Sequence, residues 1–156
     1  MNDSTPSAPA QARVWVHYAQ FYLADPELGT DGLPTPEQAT DGILATGRDG
    51  ACVRTGLNTG YVTVSAQCLP QRPDTLPAGA WGTSSEGTLE STTGSLLVHS
   101  WEDGAIEDLP DLAAHGPGLY HLRISARGRD QGQAIDTTGP GEDSGEHYFL
   151  ETWPIP

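Results

Sequence analysis

The histidines and cysteines are the residues of this chain best suited to metal chemistry, and their spacing argues against it. No two histidines stand in the i, i+4 arrangement of a helical metal site, and Cys52 and Cys68 lie too far apart for a Cys-x-x-Cys motif. His99 with Glu102 and Asp103 has the donor types of a weak cation site, but a solvated histidine beside acids is the simpler interpretation. We therefore expect no metal and no cofactor. The histidines are His17, His99, His115, His121 and His147.

Covalent and acid–base catalysis have no better support. No serine stands in a Gly-x-Ser-x-Gly elbow, and the chain has no lysine for Schiff-base chemistry. The adjacent carboxylates Glu102 and Asp103 suit acid–base pairing poorly, because neighbouring residues on a strand point to opposite faces. These patterns predict that the protein is not an enzyme and has no catalytic residues.

Charge is the strongest functional signal. The chain has 21 acidic residues and seven arginines, for a net charge of −14 over 156 residues. Residues 14–47, 73–121 and 130–156 hold five, eight and six acids and no arginine. Such a surface repels nucleic acid and anionic lipid, and it attracts basic proteins and speeds their encounter. We expect a basic protein as partner, such as a nuclease or a toxin, and neither nucleic acid nor membrane.

The acidic segment 102–111 supplies the candidate partner-binding residues. Trp101 precedes it as a candidate anchor, and Trp81 stands alone in a loop rich in Gly, Ser and Pro, where it either plugs the end of the body or contacts a partner. The segment 25–49 is a second candidate contact loop. Weak calcium binding by segment 102–111 stays open, although the Asp-x-Asp-x-Asp-Gly order is absent. The acids of the segment are Glu102, Asp103, Glu107, Asp108 and Asp111.

The elements that position these residues are expected to be strands, because apolar residues alternate with a period of two. The abundance of Gly (19) and Pro (13) indicates many turns between them. Residues 12–24 read as one central strand, and residues 50–69 as a hairpin that turns at Leu57–Gly60. Residues 70–87 and 129–145 read as long loops, the second of them mobile. A helical turn is expected at Thr35–Ala39, with Pro36 in the first helical position, and a second at Leu109–Ala114. The remaining strands are expected at residues 88–101, 118–128 and 146–153.

The last two strands should pair. If Arg123 lies opposite Glu151, the same register places Arg127 opposite His147 and His121 opposite Trp153. These elements predict an all-β protein. Residues 12–156 would form a single antiparallel β-sandwich of about seven or eight strands, with long loops and at most short helices, behind a disordered tail of residues 1–11. With neither an export signal nor a membrane span, the expected location is cytoplasmic, with reduced cysteines.

Three segments form a recognisable series: the Tyr-x-Gln-Phe pattern in Tyr18–Leu23, the Asp41-Gly42 segment that runs into 51–69, and Gly118–Leu122 with a closing strand around Tyr148–Leu150. In this order and spacing they resemble the competence-associated nuclease inhibitors of bacilli (competence protein J-like) and related small bacterial immunity-type proteins. The resemblance implies a non-catalytic β protein that binds and blocks a nuclease. Two alternatives stay open: a β-sandwich module that binds a small ligand or carbohydrate through exposed Trp and Asp, and a self-associating structural domain.

Overall fold

Two five-stranded β-sheets share one hydrophobic core in the computed structural model, which describes residues 9–77, 79 and 81–156. One α-helix, α1 (Arg129–Ile135), and one 3-10 helix (Pro36–Gln38) lie outside the sheets. The ten strands are β1 (Ala10–Val16), β2 (Gln20–Ala24), β3 (Leu44–Gly47), β4 (Gly50–Arg54), β5 (Gly60–Cys68), β6 (Thr83–Ser91), β7 (Leu97–Ser100), β8 (Gly104–Ala105), β9 (Gly118–Arg127) and β10 (His147–Pro154).

The first sheet has the strand order β1-β5-β10-β9-β6, and the second has the order β3-β4-β2-β7-β8. Period-two alternation decides which side chains reach the core. In β9, for example, Leu122 and Ile124 are buried in the core cluster, as are Val62 and Val64 in β5. The second sheet adds Phe21 from β2 among others, so both sheets bury apolar side chains in the same cluster. The all-β prediction is confirmed.

The predicted register of the last two strands is confirmed. Antiparallel β9 and β10 place Arg123 opposite Glu151, Arg127 opposite His147 and His121 opposite Trp153. Tyr120, Leu122, Ile124 and Ala126 face the core, so these charged and aromatic residues lie on the outer face of the first sheet.

The strand count and the antiparallel prediction were wrong. The structure has ten strands, and β10 pairs with β5 in parallel, with His147 opposite Thr63. The first sheet is therefore mixed. The hairpin over residues 50–69 was also wrong, because β4 belongs to the second sheet and β5 to the first. The asparagine- and glycine-containing turn carries the chain from one sheet to the other.

The single strand over residues 12–24 was wrong for a similar reason. β1 is an edge strand of the first sheet, whereas β2 is central in the second. The chain turns between them at Tyr18 and Ala19, whose φ angles are +55° and +58°. Non-glycine residues rarely adopt this left-handed conformation. Because no glycine stands at the corner, the sequence did not reveal the turn.

The short helices were predicted in part. The helical turn at residues 35–39 is confirmed as the 3-10 helix Pro36–Gln38. Residues 109–114 form turns instead of a helix, the loop over 129–145 contains α1, and the loop over 70–87 ends where β6 begins at Thr83. Residues 1–8 of the expected tail lie outside the described residues, and Ala10 and Gln11 belong to β1. Both cysteines are free thiols.

Candidate functional site

Charge is divided unevenly between the segments that build the two sheets. Residues 17–59 and 92–117, which contain β2–β4 and β7–β8, hold eleven acids and two arginines, a net charge of −9. The remaining described residues hold nine acids and five arginines, a net charge of −4. The second sheet and its loops therefore carry most of the negative field.

Arginines neutralise the outer face of the first sheet. Arg123 and Glu151 are both nearly fully buried and form an ion pair of 2.9 Å, and the Thr75 carbonyl accepts a further hydrogen bond from Arg123. Arg127 lies over the ring of Trp81, 4.8 Å from its centroid. These arginine side chains are therefore engaged in contacts within the chain. Arg13 and Arg72 are engaged in the same way, since their guanidinium groups lie over the rings of Tyr61 and Trp153.

Several aspartates hold turns together rather than facing a partner. Asp25, for example, accepts hydrogen bonds from the N–H groups of Glu27 and Leu28 and from the hydroxyl of Thr93. The Thr93 hydrogen bond is the main reason that the pKa of Asp25 is lowered. The oxygens of these carboxylates accept hydrogen bonds from within the chain. The others of this kind are Asp41, Asp49, Asp111 and Asp143.

A second group of acids has no such partners. Eight carboxylates make no hydrogen bond or ion pair within the described part of the chain, and six of the eight belong to segments of the second sheet. All eight side chains are exposed. Unpartnered exposed carboxylates are the ones available to a positively charged ligand. The six are Glu27, Asp31, Glu37, Asp103, Glu107 and Asp108, and the other two are Asp74 and Asp130.

Asp31 and Glu37 border a groove of about 590 Å³ on the outer face of the second sheet. Its floor includes Tyr22 of β2 and His99 of β7, which are direct neighbours across the antiparallel pair. Trp101 lines it just beyond the end of β7, and no arginine does so. The groove thus combines aromatic rings with two unpartnered carboxylates.

The wall of the groove is the segment from residue 30 to 37, and glycines let it approach the sheet. A Cβ atom on Gly50 would lie only 2.4 Å from the Leu33 Cδ2 atom, so the Leu33 side chain packs there only because residue 50 is glycine. Pro34 packs against Gly47 in the same way. Glu37 lies in the 3-10 helix, whose N-terminal end is capped by Gln38. The side-chain oxygen of Gln38 accepts a hydrogen bond from the Thr35 N–H at 2.8 Å. The wall is therefore held by packing and by a local cap.

The corner between β1 and β2 places a second aromatic ring beside Trp101. Tyr18 and Trp101 are 63% and 61% exposed, and their rings meet edge to face with centroids 6.1 Å apart. Glu102 lies 3.7 Å from the ring nitrogen of His17. Buried Ser100 ties this corner to β1, because its hydroxyl donates to the Trp15 carbonyl at 2.9 Å. Exposed aromatic pairs of this kind are common at protein interfaces.

Tyr22 and His99 on the floor, and Cys52 opposite Tyr22 on the neighbouring strand β4, are uncharged at neutral pH. Burial, with a contribution from Cys52, raises the pKa of Tyr22 to about 12. Burial, with the negative charge of Glu37, raises the pKa of the Cys52 thiol to about 12, so the nucleophilic thiolate is not formed. Burial lowers the pKa of His99. The floor thus carries no charge at neutral pH, and the negative charge of the groove comes from the acids at its edge.

The residues predicted from the sequence fall into separate places. Trp101, Glu102, Asp103, Glu107 and Asp108 are exposed on the second sheet's loops. Trp81 instead packs beside Phe149, with ring centroids 6.1 Å apart, on the outer face of the first sheet. Asp111 turns inward and accepts hydrogen bonds from Ser95 and from the backbone of Leu96.

Sequence reasoning overlooked Tyr18, Gln20, Tyr22, Asp31 and Glu37. The two tyrosines stood in an apparently continuous strand and were interpreted as core residues or left unassigned. Asp31 and Glu37 lay in the segment 25–49, whose loop character had marked it as a contact candidate. Among the described residues, no three His, Cys, Asp or Glu side chains converge as metal ligands would. The helices of that part of the chain are also too short and polar to cross a bilayer.

Comparisons with known proteins reveal the fold. No protein-family model matches this chain, and no curated protein does. Two solved structures match it over nearly their whole lengths. ComJ, described as the inhibitor of the DNA-degrading activity of NucA from Bacillus subtilis, aligns over 93% of this chain and 95% of its own at a TM-score of 0.55 and 11% identity. The fold is that of ComJ.

The second match is a protein described as crocagin biosynthetic gene J. It aligns over 96% of this chain and 98% of its own, again with a TM-score of 0.55 and 11% identity. The resemblance to the competence-associated nuclease inhibitors is thus confirmed at the level of the ComJ fold.

Proposed function

We propose that this chain is a non-catalytic, acidic β-sandwich protein of the cytoplasm that binds a basic protein and blocks it, with a nuclease as the target. The ComJ fold supports an inhibitor-type role, since ComJ inhibits a nuclease. The observation that carries the proposal is the uneven charge: the segments of the second sheet have a net charge of −9 and contain six unpartnered carboxylates. Nucleases that grip phosphates present the complementary basic surface.

The partner surface comprises Trp101 with Glu102, Asp103, Glu107 and Asp108. The acids steer the basic partner to the chain, and the exposed indole supplies a contact that slows dissociation. Asp111 contributes by holding the loop, because its carboxylate binds Ser95 and Leu96. Trp81, the remaining candidate, packs on the other sheet and would contact a partner only if the interface extends there.

The decisive experiment measures DNA degradation by a basic nuclease in the presence of the purified chain. NucA is one probe, and a nuclease encoded beside the gene for this chain is the other. We expect a stoichiometric loss of nuclease activity and intact DNA when the chain is present alone. Undiminished DNA degradation by both nucleases, at an excess of the chain, overturns the proposal.

The second candidate is a module that binds a small ligand or a carbohydrate. The groove lined by Trp101 and Tyr22 favours it, because aromatic floors stack on sugar rings and on flat ligands. A panel of neutral oligosaccharides, tested by thermal shift, separates the two candidates. Stabilisation by a neutral sugar, lost in Trp101→Ala, supports the module, and no shift with any sugar counts against it.

A further inference from the structure

We propose that the groove on the outer face of the second sheet is a receptor for a single cationic side chain, an arginine projected by the basic partner. This inference rests on the proposed function, which it deepens by assigning the chemistry of one contact. It also extends the interface beyond segment 102–111 to Tyr22, Asp31 and Glu37.

Charge complementarity is the first argument. Asp31 and Glu37 border the groove and make no hydrogen bond or ion pair within the described residues, while no arginine lines the groove. Arg123 is engaged with Glu151, and Arg129 donates to backbone carbonyls. Arg54 lies opposite Gln20 on the neighbouring strand but does not line the groove, so a cation seated in the groove is supplied by another molecule.

Ring chemistry is the second argument. Trp101 and Tyr22 line the same groove, and a guanidinium is attracted to the face of an aromatic ring. Its flat fork of N–H donors also pairs with carboxylates and stacks on rings, which the compact ammonium of lysine does less well. His99 is kept neutral by burial, so no positive charge within the groove opposes such a ligand.

The position of the groove is the third argument. Trp101 belongs both to the groove lining and to the exposed pair with Tyr18. A partner that covers this aromatic pair therefore lies directly over the groove entrance. The turn at Tyr18 holds a non-glycine residue at φ +55°, a conformation that is often retained at binding sites.

The test is an NMR titration of the full ¹⁵N-labelled chain with a blocked arginine, N-acetyl-arginine N-methylamide. The matched probe is the corresponding blocked citrulline, which has nearly the same shape without the charge. We expect saturable shifts at the indole N–H of Trp101 and at the backbone N–H groups of Gln20 and Glu37 with the arginine probe. The citrulline probe should leave them unchanged. Shifts spread evenly over all exposed acids, or equal for both probes, overturn the inference.

Variants sharpen the same experiment. Asp31→Asn with Glu37→Gln, and separately Trp101→Ala, should each weaken arginine binding about two- to fivefold. Asp74→Asn with Asp130→Asn is the control, because it removes two exposed, unpartnered charges on segments of the first sheet. Equal weakening in the control shows general attraction to an acidic protein and contradicts a specific groove. The dispersion of each variant's spectrum reports whether it is folded.

The two proposals fail separately. Nuclease inhibition that persists without arginine binding in the groove overturns the cation receptor and leaves the inhibitor role standing. Arginine binding in the groove of a chain that inhibits neither nuclease supports the receptor and counts against nuclease inhibition.

Discussion

The indole of Trp101 meets the phenol ring of Tyr18 edge to face, with centroids 6.1 Å apart and ring planes inclined by 65°. Tyr18 lies at the corner between β1 and β2, and Trp101 lies in the loop after β7 and also lines the groove, so the contact places the corner beside the groove. Both residues are more than half exposed, so each leaves apolar surface that a partner can bury.

Trp101→Ala is expected to weaken binding of the inhibited nuclease by about 2 kcal/mol, which is about 30-fold. The fold should be unaffected, because Trp101 is 61% exposed. Calorimetry measures the affinity and thermal unfolding checks the fold. Leu119→Ala is the control, since Leu119 is 49% exposed on a strand of the first sheet. A loss of equal size in the control contradicts the assigned surface.

The double variant Glu107→Lys with Asp108→Lys should associate with the nuclease about tenfold more slowly at low salt, while its dissociation rate changes less. Salt should shrink the difference, because exposed charges are screened. Stopped-flow measurements over a salt series test this. The matched control reverses Asp74 and Asp130, which lie on segments of the first sheet. If all four acids of the surface are replaced by lysine and binding at low salt is unchanged, segment 102–111 is not the partner-binding surface. The four acids are Glu102, Asp103, Glu107 and Asp108.

The buried pair of Arg123 and Glu151 should be strongly coupled. Replacing either residue alone by a neutral one of similar size, Arg123→Met or Glu151→Gln, is expected to destabilise the fold by about 3–5 kcal/mol, because the other charge is left buried. The double variant should recover part of the loss. Urea unfolding measures all three. The exposed pair of Arg48 and Glu90 is the contrast, with an expected change below about 1 kcal/mol for Arg48→Met.

Asp25 should stabilise the fold in a pH-dependent way. Asp25→Asn is expected to cost about 1–3 kcal/mol at pH 7, since hydrogen bonds to Thr93, Leu28 and Glu27 are weakened. The pKa of Asp25 is lowered in the folded chain, chiefly by the Thr93 hydrogen bond. Its contribution is therefore complete above the ordinary value of about 3.9, and it fades as the pH falls through the lower folded-state pKa. Thermal unfolding from pH 7 to pH 2 should show the gap to Asp25→Asn narrowing, and a constant gap contradicts this.

Glu146 should behave in the opposite sense. It is fully buried, and burial raises its pKa although Tyr148 and the N–H groups of Gly56 and Leu57 donate hydrogen bonds to it. The folded chain thus binds this proton more tightly than the unfolded chain does. The stability of the native chain relative to Glu146→Gln should be greatest below the ordinary Glu pKa of about 4.3, and should fall as the pH rises through the folded-state pKa. Urea unfolding at several pH values measures it, and a rise with pH contradicts it.

Local pattern accounts for most of what could be foreseen. Alternation in residues 118–128 and 146–153 showed which side chains share a face. One assumed pair, Arg123 with Glu151, then set the whole register of β9 and β10, because each step forward along one antiparallel strand is matched by one step back along the other. The 3-10 helix was foreseen from Thr35 and Pro36 for the same reason: capping and proline act within one turn of the chain.

The net charge of −14, the β character and the pairing of the last two strands, β9 and β10, were therefore determined by the sequence itself, since composition and short-range periodicity carry them. Tertiary structure alone decided that the chain changes sheets at Tyr18, that β10 joins β5 in parallel, and that Asp31, Glu37, Tyr22 and Trp101 border one groove. These relations depend on contacts between distant segments, which no local spacing encodes. Tertiary structure also separated the acids that hold turns from those left unpartnered, because a carboxylate's partners are chosen by the fold around it.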